Sequence, residues 1–230
     1  MVAAVTLSGI EAFRSLSTDD REALASRCDS RRYAADQQII SHTDSSTDVY
    51  FIVSGRVRAT IYSSSGKEVS FRDIEAGEIF GDLSAIDGKP RSANVVALTD
   101  CLIVSMSAEV LWDTLQRYPD VCAVVLKELT KLVRSLAERV VEFSTLGVKN
   151  RIHAELLRLA GKHMQDENSA VISPAPTQAD IASRVSTTRE AVAREMSHLG
   201  QIGVIERRNS ALVIGDVARL SRMVQEVRGQ

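Results

Sequence analysis

Residues 77–96 read GEIFGDLSAIDGKPRSANVV, and further along the chain Thr188 to Arg194 reads TREAVAR. In the first stretch Gly81 lets backbone approach a ligand closely, and Asp82 opens a helical turn, Leu83 to Ile86, whose free amide groups attract an anion. Arg91 can offer a two-pronged fork to a phosphate and Ser92 a hydroxyl, so the segment predicts a phosphate cradle. The same residues have a plainer use, with Asp82 capping the turn and Arg91 pairing with Asp82 or Asp87. The second stretch reads as the start of a DNA-reading helix. The two together predict a small anionic ligand that controls access to DNA.

Outward from the cradle, glycines fall at 55, 66, 77 and 88, an eleven-residue rhythm of strands and turns. Val49-Tyr50-Phe51-Ile52-Val53 is rich in strand formers. Val57, Ala59 and Ile61 alternate with Arg56, Arg58 and Thr60, and Val69 and Phe71 alternate around Ser70. Ser63 to Lys67 then reads as a hairpin connection. With two further strands, Ser92 to Ala97 and Cys101 to Met106, the pattern predicts about eight short strands in a small antiparallel roll.

After Pro119 the period changes. Cys122, Leu126, Leu129, Val133, Leu136, Val140 and Phe143 are spaced alternately four and three apart, a narrow heptad seam of the kind that pairs two helices. It predicts a homodimer, with packing on the chain's own domain as the alternative. The helix is expected to end near Leu146-Gly147, where glycine permits a bend. A second helix, about Lys149 to Gly161, carries an apolar face of Ile152, Leu156, Leu157, Leu159 and Ala160. A polar, proline-broken stretch to Pro176 follows, read as a loop or short hairpin.

Thr177 can cap a helix beginning at Gln178. Ala179, Ile181, Ala182 and Val185 mark that short helix, Val185-Ser186-Thr187 a tight turn, and Thr188 to Leu199 a second helix buried through Ala191, Val192, Met196 and Leu199. This is helix-turn-helix spacing, with Ser186 where glycine is usual. Arg189, Glu190, Ala193 and Arg194 lie on neighbouring exposed faces of the second helix. An arginine can give two hydrogen bonds to guanine and a glutamate can accept from cytosine. Two strands, around Ile205 and Leu212, form a wing whose Arg207 and Arg208 could hold phosphates. An ordinary Glu190–Arg194 helix pair is the alternative.

Composition limits the remaining classes. The 230 residues are 44% hydrophobic with net charge −2, enough for two modest cores and too acidic for a general nucleic-acid coat. From Asn150 onward 11 Lys and Arg face 9 Asp and Glu, so the basic excess is local. Cys28, Cys101 and Cys122 lie far apart without metal-ligand spacing, and the four histidines show no pairing, His153 reading as an ordinary side chain. No metal, heme or iron–sulfur cluster is expected. The N-terminus lacks a basic leader, and no apolar run can span a bilayer, so a cytoplasmic protein without membrane partners is expected. Ser92, His153 and Asp87 show no triad spacing, and no enzyme is expected.

FGDLSAIDGKPRSANVVA resembles the phosphate-binding cassette of cyclic-nucleotide-binding domains, and TTREAVAREMSHL the recognition helix of the cyclic-AMP receptor protein and fumarate-nitrate regulator (Crp/Fnr) superfamily. From about Phe13 to Ile214 the order of parts is similar to that family. The resemblance implies an α+β chain: an N-terminal antiparallel β-roll of the cyclic-nucleotide-binding type (1–118), a long dimerisation helix (119–146) and a C-terminal winged helix-turn-helix (147–230). It implies cyclic AMP or a related cyclic nucleotide as effector, with Gly81 and Asp82 at the ribose 2'-hydroxyl, Arg91 and Ser92 at the cyclic phosphate, and Leu83 among the effector-binding residues. Leu136 and Ala137 fall where the family's dimer helix meets adenine, and cannot hydrogen-bond through their side chains. Asp82 replaces the family's glutamate and is one methylene shorter.

The resemblance also implies Arg189, Glu190 and Arg194 as readers of a palindromic TGTGA-like site in double-stranded DNA. Thr177, Thr188, Arg207 and Arg208 are expected to support them. Leu126, Leu129, Val133, Leu136, Val140 and Phe143 are expected at the homodimer interface, with RNA polymerase as a further candidate partner. Two other readings stay open: a regulator of the same family with a non-nucleotide effector or none, and a regulatory module acting on a protein partner. No role is assigned to an amphipathic tail, Asp216 to Val227.

Overall fold

The computed structural model describes residues 7–63 and 68–228. It divides into two compact units, residues 1–133 and 134–230, so the boundary falls within the long helix.

In the first unit, helix α1 (Thr18–Ala25) leads into eight strands: β1 (Asp29–Tyr33), β2 (Gln38–Ile40), β3 (Val49–Ser54), β4 (Arg56–Tyr62), β5 (Glu68–Glu75), β6 (Ile79–Phe80), β7 (Asn94–Ala97) and β8 (Cys101–Met106). A short helix α2 (Asp82–Asp87) interrupts them, and α3 (Ala108–Arg117) and α4 (Pro119–Thr145) follow. The strands form two antiparallel four-stranded sheets, ordered β1-β8-β3-β6 and β2-β7-β4-β5. Strands β3 and β8 are apolar on both faces because both are covered. Val49, Phe51, Val104 and Met106 join Phe13, Leu111 and Val121 in one core, while Ile52, Cys101 and Ile103 join Val57, Ile74, Phe80 and Val95 in a second.

The strand alternation expected for residues 57–61 and 69–71 is corrected by a β-bulge. Ala59 pairs with Arg72 but Thr60 pairs with Ser70, which leaves Phe71 as the extra residue. Thr60 and Ser70 are buried, and Ile61, Val69 and Phe71 only partly so. Gly55, Gly77 and Gly88 do take left-handed φ values of 94°, 91° and 69° at turns. Gly66 and the rest of the expected hairpin connection, Ser64 to Lys67, lie outside the described residues.

In the second unit, α5 (Val148–Lys162), β9 (Ala170–Ile172), α6 (Gln178–Arg184), α7 (Arg189–Gln201), β10 (Ile205–Arg208), β11 (Ala211–Ile214) and α8 (Val217–Arg228) follow. Strands β10 and β11 pair as the expected wing, and β9 adds to β11 as a third strand from the proline-broken stretch. Ile152, Leu156, Ile181, Val192, Leu199, Leu212 and Leu220 share one core. The tail helix has a structural place: its Val224 packs with Leu146 and Ala154, and Arg219 donates to the Ile202 carbonyl at 2.9 Å. Gly147 has φ −65° and ψ 162°, a conformation open to any residue, so the bend after α4 does not use glycine's freedom.

Candidate ligand pocket and nucleic-acid interface

Gly81 sits at φ +76° immediately before α2, and a Cβ there would lie 2.8 Å from Arg91 Nη1 and 3.0 Å from the Asp48 carbonyl. Only glycine fits that approach without strain. Arg91 itself is 3% exposed. It does not pair with Asp82 or Asp87: its Nη1 donates to the Gly81 carbonyl at 3.0 Å, Nη2 to the Asp48 carbonyl at 2.7 Å and Nε to Ser46 Oγ at 3.1 Å. Its backbone also bonds the loop of residues 41–48, accepting from Thr43 N–H at 3.1 Å and donating to the Asp44 carbonyl at 2.8 Å. Three of five guanidinium N–H donors are thus engaged, and two have no partner among the described residues.

Asp82 is 8% exposed. Burial pushes its carboxyl above the ordinary range, while Arg72, its own N–H and that of Leu83, and Arg91 pull the other way. Leu83, next to it in the chain, and Ser92, next to Arg91, are exposed. Arg72, Ser46 and Asp48 were absent from the sequence reading because nothing local marks them. They reach the cassette only through strand pairing and the loop before β3.

On α4, Leu126 is 58%, Val133 65%, Leu136 39%, Val140 65% and Phe143 37% exposed, so five of the six named seam residues leave apolar surface uncovered in one chain. Leu129 instead packs partly against the first core. Ala137 is an exposed helix position. Within the second unit the same helix is tied down by charge. Arg158 bonds Glu142 at 2.8 Å and also pairs with Glu155, whose other oxygen takes Arg184 Nη1 at 2.9 Å. Arg139 donates to the Arg184 carbonyl at the end of α6, and burial lowers its pKa.

Thr177 and Asp180 form a capping box at the start of α6, bonding each other's backbone N–H groups at 3.1 and 2.8 Å. Ser186 takes φ +53°, the left-handed turn position where glycine is usual. Thr188 caps α7 by accepting from Ala191 N–H at 3.3 Å. Arg189, Glu190 and Arg194 are all exposed, and the same surface continues through Ser197, His198 and Gln201. Those three follow Arg194 at helical spacing, a signal that the sequence carried. Ala179, read as core, is exposed, and Ala193 is only half-buried. Glu190 is held below its usual pKa by its own N–H and the Thr188 hydroxyl.

In the wing, Arg207 donates to the Pro176 carbonyl at 3.2 Å, and Arg208 pairs with Glu206 at 2.7 Å. A phosphate contact must therefore compete with acceptors already present. His153 is 1% exposed on α5 and its Nε2 lies 2.6 Å from Glu195 Oε1 on α7, while Nδ1 has no partner among the described residues. Burial lowers its pKa, and the Glu195 bond only partly offsets this. Among the described residues no helix is long and apolar enough to cross a membrane, and no cluster of three His, Cys, Asp or Glu side chains could hold a metal ion.

A small antiparallel roll with a phosphate-type cassette, followed by a long helix and a winged helix-turn-helix, defines a ligand-binding DNA-binding regulator. Comparison agrees: a family model described as cyclic nucleotide-binding domain matches residues 30–118, and one described as Crp-like helix-turn-helix domain matches residues 150–223. The chain belongs to the Crp/Fnr superfamily of transcription regulators. It is 26% identical over 175 residues to a CRP-like cAMP-activated global transcriptional regulator of Mycobacterium tuberculosis, covering 76% of this chain and 78% of that one. A CooA mutant from Carboxydothermus hydrogenoformans superposes with TM-score 0.81 at 20% identity, covering 94% and 95% of the two chains. The c-di-GMP responsive regulator CLP of Xanthomonas campestris superposes with TM-score 0.68 at 20% identity, covering 82% and 94%.

Proposed function

We propose that this regulator is a cytoplasmic homodimer that binds cyclic AMP or a related cyclic nucleotide in its roll and reads a palindromic TGTGA-like site. The buried Arg91 beside Gly81 carries the ligand reading. It is an internal guanidinium with donors to spare, next to a left-handed glycine and the N–H groups that open α2. In this reading the anion takes the two remaining Arg91 donors, with Ser92 and Leu83 at the rim. Two chains pair through Leu126, Leu129, Val133, Leu136, Val140 and Phe143, with Leu136 and Ala137 also on the effector side. Pairing sets two α7 helices about 34–36 Å apart, one turn of DNA.

Arg189, Glu190 and Arg194 then read bases, while Thr177, Thr188, Arg207 and Arg208 hold the backbone. Ligand binding shifts the population toward the dimer geometry that fits adjacent half-sites, and RNA polymerase is a further candidate partner at the promoter. The M. tuberculosis relative, described as cAMP-activated, supports cyclic AMP as the first ligand to try. Calorimetric titration with cyclic AMP and cyclic GMP, on the intact chain and on Arg91→Lys, tests the reading. Binding of either nucleotide, weakened at least tenfold by losing the fork, is expected; no binding of either by the intact protein overturns it.

A further inference from the structure

Strand β5 brings a second arginine to the cassette. Arg72 pairs directly with Ala59, and paired residues share a face. Ala59 packs against the core between the two sheets, so Arg72 belongs to that inner row with Ile74. Its Nη2 donates to the Ile79 carbonyl at 3.0 Å, two residues before Gly81. That is its one hydrogen bond among the described residues, although a guanidinium has five donors. Two other arginines of the roll are better served: Arg58, on the opposite face of β4, bonds Asp73 at 2.7 and 3.1 Å, and Arg91 has three protein acceptors.

Asp82 shows the complementary deficit. Its carboxylate is buried, and only the N–H groups of Asp82 and Leu83 bond it. Arg72 exerts the strongest charge effect on it, ahead of Arg91, yet neither comes within ion-pair distance among the described residues. Asp82 thus has acceptor capacity and Arg72 donor capacity to spare, with the Arg72 head held at Ile79, three residues before Asp82, and no ion pair between the two. A hydroxyl suits such a pair, since it donates to the carboxylate and accepts from the guanidinium. Arg72, Arg91 and Asp82 together leave one positive charge, which a singly charged anion neutralises.

We propose that Arg72 is a further effector-binding residue, which accepts a ligand hydroxyl into a bridge with Asp82 while the ligand's anionic group lies at Arg91. The inference rests on the cyclic-nucleotide reading, in which the bridging group is the ribose 2'-hydroxyl. It also gives the shorter Asp82 a partner on the far side of that hydroxyl.

The test is calorimetric titration of cyclic AMP and 2'-deoxy cyclic AMP into the full chain, Arg72→Met and Arg72→Lys, each checked for an unchanged melting profile. The intact chain is expected to prefer cyclic AMP by about tenfold or more, as for a hydrogen bond to a charged group. Arg72→Met is expected to reduce that preference below about threefold with little change for the deoxy nucleotide, and Arg72→Lys to recover part of it. Retention of the full preference by Arg72→Met, or equal loss for both nucleotides, overturns the assignment. So does an intact chain that binds both equally, an outcome that needs no folded variant. An intact chain that binds neither overturns the cyclic-nucleotide reading and this inference with it.

Discussion

Replacing Gly81 by alanine separates the cost of the backbone conformation from the cost of crowding Arg91. The left-handed φ of +76° alone costs a side chain about 1–2 kcal/mol. The new Cβ would stand 2.8 Å from Arg91 Nη1, 3.0 Å from the Asp48 carbonyl and 3.1 Å from Tyr50 Cδ2, so the guanidinium must move. Moving it gives up the bond to the Gly81 carbonyl and strains the bond to Asp48, and a hydrogen bond to a charged group is worth about 1.5–3 kcal/mol. The sum is about 2.5–5 kcal/mol. Gly88 is the control: its φ is +69°, but a Cβ there meets nothing within 4 Å, so Gly88→Ala should cost only about 1–2 kcal/mol. Trp112 is the one tryptophan and lies in the first unit, so its fluorescence during urea unfolding follows that unit. At about 2 kcal/mol per molar urea, Gly81→Ala should lower the midpoint by about 1–2.5 M and Gly88→Ala by about 0.5–1 M. Equal shifts for the two variants would refute the argument that Gly81 is glycine to seat Arg91.

Val140→Asp places a charge on the exposed α4 seam and should weaken self-association at least about a hundredfold, read by sedimentation equilibrium, because a paired seam would bury it. Glu155→Ala removes a buried carboxylate that pairs with both Arg158 and Arg184 and should destabilise the second unit by about 3–5 kcal/mol in circular-dichroism melts. His153 binds protons less readily folded than unfolded. The unfolded chain therefore takes up the proton first as pH falls through the ordinary value of 6.5, and stability of the second unit should drop below that pH. The slope should approach at most about 1.4 kcal/mol per pH unit and flatten in His153→Gln, measured by denaturant unfolding from pH 7.5 to 5.5. Arg194→Ala should cost about 1–3 kcal/mol on a specific duplex and far less on random DNA, by fluorescence anisotropy.

The parts of the molecule that depend on short-range pattern were legible from the residues. Seam spacing located α4 to within a residue of Pro119–Thr145, and Thr177 and Thr188 mark the starts of α6 and α7 because capping is a local bond. The wing was equally plain, its two strands separated by a turn at Asn209, which takes φ +52°. What escaped reading depends on partners distant in the chain. The bulge at Phe71 follows from how β4 and β5 pair, and the same pairing, Ala59 with Arg72 and Val57 with Ile74, puts Arg72 on the inner face. Arg91 was recognisable as an anion-binding arginine, but Ser46 and Asp48 reach it from a loop more than forty residues earlier. Nothing local marks Arg184 of α6 as buried, yet it is 9% exposed, paired with Glu155 on α5.

The central claim, that a nucleotide in the roll controls reading of DNA by α7, is tested most directly by anisotropy titration. The intact chain is titrated onto a palindromic TGTGA-like duplex and a scrambled one, with and without cyclic AMP, at fixed salt. Binding to the palindrome at least about a thousandfold tighter than to the scrambled duplex, reached only with the nucleotide present, is the predicted result. Equal affinity for the two duplexes, or preference for the palindrome that cyclic AMP leaves unchanged, would contradict it.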